Sequence, residues 1–207
     1  MDYFTTTASK SEAMLRAAEL NPYGSELFCW IDAAFFRSHP YVTYSREEYQ
    51  QQLHNIAESA PLDDKYHIGL IDWVHRDVYQ EYARFFQHGG PCTVSGGMHW
   101  GRRDTVVRIH TEAQRVFQDQ VRQGYGHADE QIMFYTFQRH PDWFSTFPTD
   151  YFCDPFNALR PRLRLGTTTG ALLPNLLSDH QGELAQHIAR QLLHEDARDP
   201  CLDAGQR

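Results

Sequence analysis

Leu27-Phe28-Cys29-Trp30-Ile31-Asp32-Ala33 is a short apolar run closed by a single acid. A continuous run of this length has the pattern of a strand buried on both faces, as in a parallel sheet covered by helices. Such a strand delivers the Asp32 carboxylate to its C-terminal end. Upstream, Ser9 to Leu20 is Ala-rich and reads as a helix capped by Ser9 or Ser11 and broken by Asn21-Pro22-Tyr23-Gly24. Downstream, Ser45-Arg46-Glu47-Glu48 is a capping box that opens a polar helix reaching about Glu58.

The alternation continues. Tyr66 to Asp72 reads as a second strand, and Arg76 to Gln87 as a helix closed by His88-Gly89-Gly90-Pro91. Cys92 to Ser95 reads as a third strand that runs into Gly96-Gly97. The longest helix spans Asp104 to about Gln123, with Val106, Ile109, Ala113, Val116, Phe117 and Val121 as one stripe. Gly124-Tyr125-Gly126 ends it, and a further helix starts near Asp129. Pro141 and Pro148 bracket a short aromatic stretch, and Ser178 to Ala197 reads as an amphipathic helix before a frayed tail. Strands alternating with helices predict an α/β domain with a mostly parallel sheet flanked by helices. In such sheets ligands bind beyond the carboxyl ends of the strands. Asp32, Asp72 and Gly96-Gly97 all fall at predicted strand ends.

The bulk composition narrows the partners. The chain has 207 residues, 41% of them apolar and 14% aromatic, enough for one sizeable core. Its formal net charge is -8, with Lys10 and Lys65 its only lysines, which disfavours general binding to nucleic acid. The four cysteines, Cys29, Cys92, Cys153 and Cys201, show no metal or redox spacing, and a reducing, cytoplasmic setting is expected. No apolar run has the length of a membrane span.

Several residues carry chemistry in one reading and architecture in another. Asp32 either binds a divalent cation or a ribose hydroxyl, or caps the turn after its strand. Asp129-Glu130-Gln131 at a helix start suits the helix dipole, and it equally suits a general base aimed into the cleft. Gly96-Gly97 permits close approach of a ligand or a tight connection. Trp30 and Trp100 stack on a ligand or fill the core. Arg160, Arg162 and Arg164 alternate along one strand face and either meet a pyrophosphate or face solvent. His180, His187 and His194 recur every seven residues, roughly 10 Å apart along a helix, too far to share one ion.

Three segments together resemble one family. Asn21-Pro22-Tyr23-Gly24-Ser25-Glu26-Leu27-Phe28-Cys29-Trp30-Ile31-Asp32-Ala33-Ala34-Phe35-Phe36-Arg37 resembles the Asn-Pro-Phe-x-Ser … Trp-Ile-Asp-Ala-Gly … Arg region of the HtrL/YibB-like (WlaTC-like) glycosyltransferases. Ser95-Gly96-Gly97-Met98-His99-Trp100-Gly101 is similar to that family's Gly-Gly-x-x-x-Gly segment, and Gly124 to Gln131 to its Gly-x-x-x-Asp-x-Gln segment. The resemblance implies a GT-A type fold and sugar transfer, of hexosyltransferase type, from a nucleotide-sugar donor to a glycan or other hydroxyl acceptor. It implies Asp129 and Glu130 as acceptor-side catalytic carboxylates. Trp30, Asp32, Arg37, Gly96, Gly97 and Gln131 are implied on the donor side, with Asp32 holding Mn²⁺ or Mg²⁺. Only one acid stands in Trp30-Ile31-Asp32-Ala33-Ala34, and 26 residues precede Leu27. The first βα units of the fold are therefore expected to be absent. Residues 1–177 are expected to form the glycosyltransferase-like domain and 178–207 a C-terminal helix and tail. The alternatives are a non-catalytic remnant acting as a binding module, and a hydrolase using paired carboxylates.

Overall fold

The structure, a computed structural model, describes residues 3–32, 45–60, 63–74, 76–87, 93–126 and 128–148, together with Gln186. The order is α1 (Tyr3–Leu20), β1 (Leu27–Ile31), α2 (Arg46–Ser59), β2 (Tyr66–Leu70), α3 (Arg76–Tyr79), α4 (Tyr82–Gln87), β3 (Val94–Arg102), α5 (Arg103–Arg122), α6 (Asp129–Arg139), a 3₁₀ turn (Pro141–Trp143) and β4 (Phe144–Pro148). The four strands form one sheet in the order β1-β3-β2-β4. Arg37, the predicted Ser178–Ala197 helix, the Arg160–Arg164 row and the boundary at 177 lie outside the described residues.

The α/β class holds, and the mostly parallel sheet does not. β3 runs antiparallel to both β1 and β2, while β2 and β4 are parallel. Three strands therefore share a direction and the reversed β3 lies between two of them. Strand direction leaves no trace in hydrophobic periodicity, so the pattern of strands and helices could not reveal it. The reversal brings the first residues of β3 to the C-terminal ends of β1 and β2. Gly96-Gly97 thus reaches the predicted sheet end, but from inside a nine-residue strand rather than from a connecting loop.

Helices cover both sheet faces. Met14 and Ala18 of α1, Val106, Ile109, Ala113 and Val116 of α5, and Ile132 and Phe134 of α6 pack on Tyr66, Ile68 and Leu70. The α5 stripe is the predicted one except at its end, where Val121 is 52% exposed. On the other face Leu53 and Ala60 close over Met98, Trp100, Leu27, Cys29 and Ile31. Within the described residues β1 is an outer strand and half-buried throughout, not buried on both faces.

A bulge in β3 decides what faces the helices. Ile68 pairs with His99 and Leu70 with Val94, so two steps along β2 answer to five along β3. The odd difference switches the side on which alternate residues project. His99 and Gly101 face α5, and beyond the bulge Val94 and Gly96 face the same helical layer. At Gly101 the reason for glycine is contact: a Cβ there would lie 2.8 Å from Cδ2 of Tyr66.

Three smaller departures have simple causes. α1 begins earlier than Ser9, and Ser11 is buried inside it as a partner of His110 rather than capping it. The predicted Arg76–Gln87 helix is two short helices. Phe144–Pro148 pairs in parallel with β2 and is the outer strand among the described residues, a place that tolerates proline.

Candidate functional site

The sheet end carrying Asp32 gathers residues from four elements around one ammonium. Lys10 Nζ of α1 donates to Asp32 Oδ2 at 2.9 Å and to the Gly96 carbonyl at 3.2 Å. It also lies 2.9 Å from Asp129 Oδ2 at the start of α6. The Lys10 and Asp129 side chains are only 12% and 8% exposed, and Asp32 remains at 32%. Trp30 Nε1–H donates to Asp32 Oδ1 at 2.9 Å, and the Lys10 ammonium stands 5.5 Å from a Trp30 ring centre. The Asp32 N–H donates to the Gly97 carbonyl at 2.8 Å and extends the β1–β3 ladder by one residue. Asp32 is thereby fixed through backbone, indole and ammonium together.

Gly96 is where the backbone must yield to a carboxylate. A Cβ at this position would collide with Asp129 Oδ2 and lie 3.1 Å from Cγ and Cδ of Glu130. The predicted close approach is therefore real, and the approaching group is the chain's own α6 terminus.

The electrostatics of the cluster pull in two directions. Burial, and then the charge of Glu130, push Asp129 up to about 7 against the pull of Lys10. Burial pulls Lys10 down, but Asp129 and Asp32 together more than offset it, so its pKa is raised. The Lys10 shift favours its charged form, whereas the Asp129 shift favours the neutral one. The part-exposed Asp32 accepts a hydrogen bond from Lys10, and the buried Asp129 meets the same ammonium as a charge contact. Neither Asp129 oxygen has an aligned donor among the described residues. Lys10 faces both carboxylates at 2.9 Å, and Asp129, the more buried of the two, is the one whose neutral form burial favours.

The predicted residues therefore divide. Trp30, Asp32, Gly96, Gly97, Asp129 and Glu130 meet at this end. Gln131 lies two residues further along α6 and is 1% exposed. Asp72 Oδ1 accepts from the Trp73 N–H at 2.7 Å, a local turn contact. Among the described residues no three His, Cys, Asp or Glu side chains form a metal-ligand set. A divalent ion on Asp32 Oδ2 would have to displace Lys10. Lys10 is the residue that sequence reasoning missed, although a signal existed: Lys10, Met14 and Ala18 stand at i, i+4 and i+8, which puts one of two lysines on the buried stripe of α1.

Beside this cluster runs a second polar chain. Ser11 Oγ meets His110 Nδ1 at 3.1 Å, His110 Nε2 meets the Tyr66 hydroxyl at 2.7 Å, and that hydroxyl also bonds His99 Nδ1. Burial lowers His110 to about 3 and, with His110 and Lys10 nearby, holds His99 well below its usual range. A separate open groove of about 510 Å³ lies between Tyr79, Tyr82, Tyr125 and Tyr135. There Arg139 donates to Asp119 and to the Tyr82 hydroxyl, and no predicted site residue lines it.

Compared with known proteins, the chain matches no family profile, no curated protein and no solved structure. No helix among the described residues is long and apolar enough to cross a membrane.

Proposed function

We propose that this chain is a glycosyltransferase-like domain of GT-A type that moves a sugar from a nucleotide donor to a hydroxyl acceptor. One observation carries the reading. Three segments far apart in sequence, Trp30–Asp32, Gly96–Gly97 and Asp129–Glu130, converge on a single ammonium at the sheet end. Those are the segments whose ordered spacing resembles the HtrL/YibB-like family.

In this reading Asp129 is the base. Its pKa of about 7 suits a group that must be ionised before the reaction and protonated after it. The acceptor hydroxyl transfers its proton to Asp129 as its oxygen bonds the anomeric carbon. The bond from that carbon to the diphosphate breaks, and the electron pair leaves with the nucleotide. Glu130, more exposed than Asp129, orients the acceptor. Asp32 and Trp30 form the donor-side wall with Gly96-Gly97, and the missing side chain at Gly96 leaves room for the Asp129 and Glu130 side chains beside them.

One observation favours a second reading, a binding module of the same fold without turnover: Asp129 is 5% exposed and already paired with Lys10. Nucleotide release and sugar transfer, screened over UDP-, GDP- and CMP-sugars with Mn²⁺, Mg²⁺ or EDTA, separate the two. Turnover that Asp129→Asn abolishes supports the enzyme. Thermal stabilisation by nucleoside diphosphates without turnover supports the module. Neither binding nor turnover with any donor rejects both.

A further inference from the structure

We infer that Asp32 and Asp129 form a cation site whose occupant is the chain's own Lys10, so that the proposed reaction centre runs without a divalent metal. The naming of a reaction rests on the glycosyltransferase reading; the occupancy of the site does not.

Lys10 already holds the place that a divalent cation would take. Three oxygens surround Nζ: Asp32 Oδ2 at 2.9 Å, Asp129 Oδ2 at 2.9 Å and the Gly96 carbonyl at 3.2 Å. An ammonium carries three N–H donors; two serve Asp32 and the Gly96 carbonyl, and Asp129 faces the same Nζ as a charge contact. Mg²⁺ and Ca²⁺ take about six or more oxygens, so beside these three protein oxygens a divalent ion would draw the rest of its shell from water, and it would first have to displace Nζ. The remaining side of Lys10 faces the Trp30 ring, which suits an ammonium as a cation–π partner and gives a hard divalent ion no ligand atom. Asp129 supplies an independent sign that the site is built for a cation: it is buried at 5% exposure, both its oxygens lack an aligned donor, and it points at Nζ. Burying such a group is costly unless a charge stands beside it. Lys10 is moreover tethered, so it does not lose the translational freedom that a free ion gives up on binding. The absence of a Cβ at Gly96 lets the carbonyl and the carboxylate share one ammonium.

Lys10→Met tests this, because methionine keeps much of the lysine stem and removes the charge. Mn²⁺ binding to the full chain is followed by electron paramagnetic resonance without donor or acceptor, with circular dichroism to confirm folding. We expect the wild type to leave Mn²⁺ free, Lys10→Met to bind one ion at least tenfold more tightly, and Lys10→Met/Asp32→Asn to lose it again. Wild-type Mn²⁺ binding that Asp32→Asn removes would overturn the inference, as would a folded Lys10→Met that gains no ion. Should Lys10→Met not fold, the wild-type and Asp32→Asn measurements still decide it. A further arm separates this inference from the functional reading. Sugar transfer that requires Mn²⁺ and is lost with Asp32→Asn would keep the enzyme and reject the resident lysine.

Discussion

Lys10 and Ser11 are neighbours on α1, yet they enter two different buried polar clusters. Lys10 joins Asp32, Asp129 and Gly96, and Ser11 joins His110, Tyr66 and His99. The second cluster is neutral and satisfied at its centre: the Tyr66 hydroxyl, with one donor and two lone pairs, bonds both histidines. The first is charged, part-exposed at Asp32, and leaves both Asp129 oxygens without an aligned donor. Buried polar groups that satisfy one another stabilise and specify a core. A buried carboxylate whose neighbours hold it near neutrality suits a group that exchanges a proton. The two clusters share a helix and a sheet face, and only one has the character of a site.

The largest expected effect breaks the charged cluster. Asp129→Asn removes the proton acceptor, and turnover should fall by roughly 10²–10⁴-fold, the usual contribution of a general base. A variant within threefold of wild type would exclude Asp129 as the base. The pH dependence of stability sharpens the same contrast. Asp129 has a folded pKa of about 7, above its unfolded value of 3.8, so the folded state holds a proton that the unfolded chain has released between those values. That makes stability fall as pH rises through the window. His110 has the opposite sign: its folded value of about 3 lies below its ordinary 6.5, so stability is lost as pH falls below about 6.5. Denaturation across pH 4 to 7 should therefore lose its alkaline fall in Asp129→Asn and retain its acid fall. An unchanged profile would show that Asp129 does not titrate in this window.

Next comes the neutral cluster. Tyr66→Phe keeps the ring against Phe144 and removes the hydroxyl, leaving His99 Nδ1 and His110 Nε2 without their common partner. An orphaned buried polar group costs about 1–3 kcal/mol, and a loss of about 3 kcal/mol is expected in urea denaturation. Nucleoside diphosphate binding measured well below the unfolding transition should be unchanged. A binding defect in the folded variant would merge the two clusters into one functional unit.

How much of this was legible beforehand follows from what periodicity records. The α5 stripe was readable because Val106, Ile109, Ala113 and Val116 repeat at helical spacing and all face the sheet. Asp32, Gly96 and Asp129 were singled out because an acid after an apolar run, a glycine pair and an acidic helix start are local signals. Their meeting was not local. It depends on the reversed direction of β3 and on a bulge that moves Gly96 onto the helical side, and neither leaves a spacing in the sequence. The glycine pair itself concealed the length of β3, since Gly-Gly reads as a strand terminator until a neighbour is known to need the space. Lys10 was obscured for the converse reason: a lysine on a helix is ordinarily a solvated residue, and only its place in line with Met14 and Ala18 marks it.

Gly96→Ala should have a smaller effect and acts on the charged cluster alone. The new Cβ meets Asp129 Oδ2 and the Glu130 stem. Overpacking of this kind costs about 1–3 kcal/mol, and about 2 kcal/mol is expected because the start of α6 must shift. If Gly96→Ala leaves stability unchanged, the contact between β3 and α6 is looser than a packed one.

The smallest effect is expected where the two clusters touch. Trp30 stacks on His99 with ring centres 6.5 Å apart and planes 11° from parallel, and its indole N–H serves Asp32. Trp30→Phe preserves an aromatic face toward His99 and deletes only the donor. One hydrogen bond to a charged acceptor contributes about 1.5–3 kcal/mol, but Asp32 is part-exposed, so water can replace much of it and about 1 kcal/mol is expected. A double-mutant cycle isolates the bond. Trp30→Phe combined with Asp32→Ala should cost less than the two single changes together, because either alone already removes the same contact. Trp30→Phe combined with Tyr66→Phe should instead be close to additive, since the stack on His99 survives the first change and the hydroxyl chain does not pass through the indole nitrogen. Strong coupling in the second pair, and none in the first, would make Trp30 a member of the neutral core and leave Asp32 held by Lys10 alone.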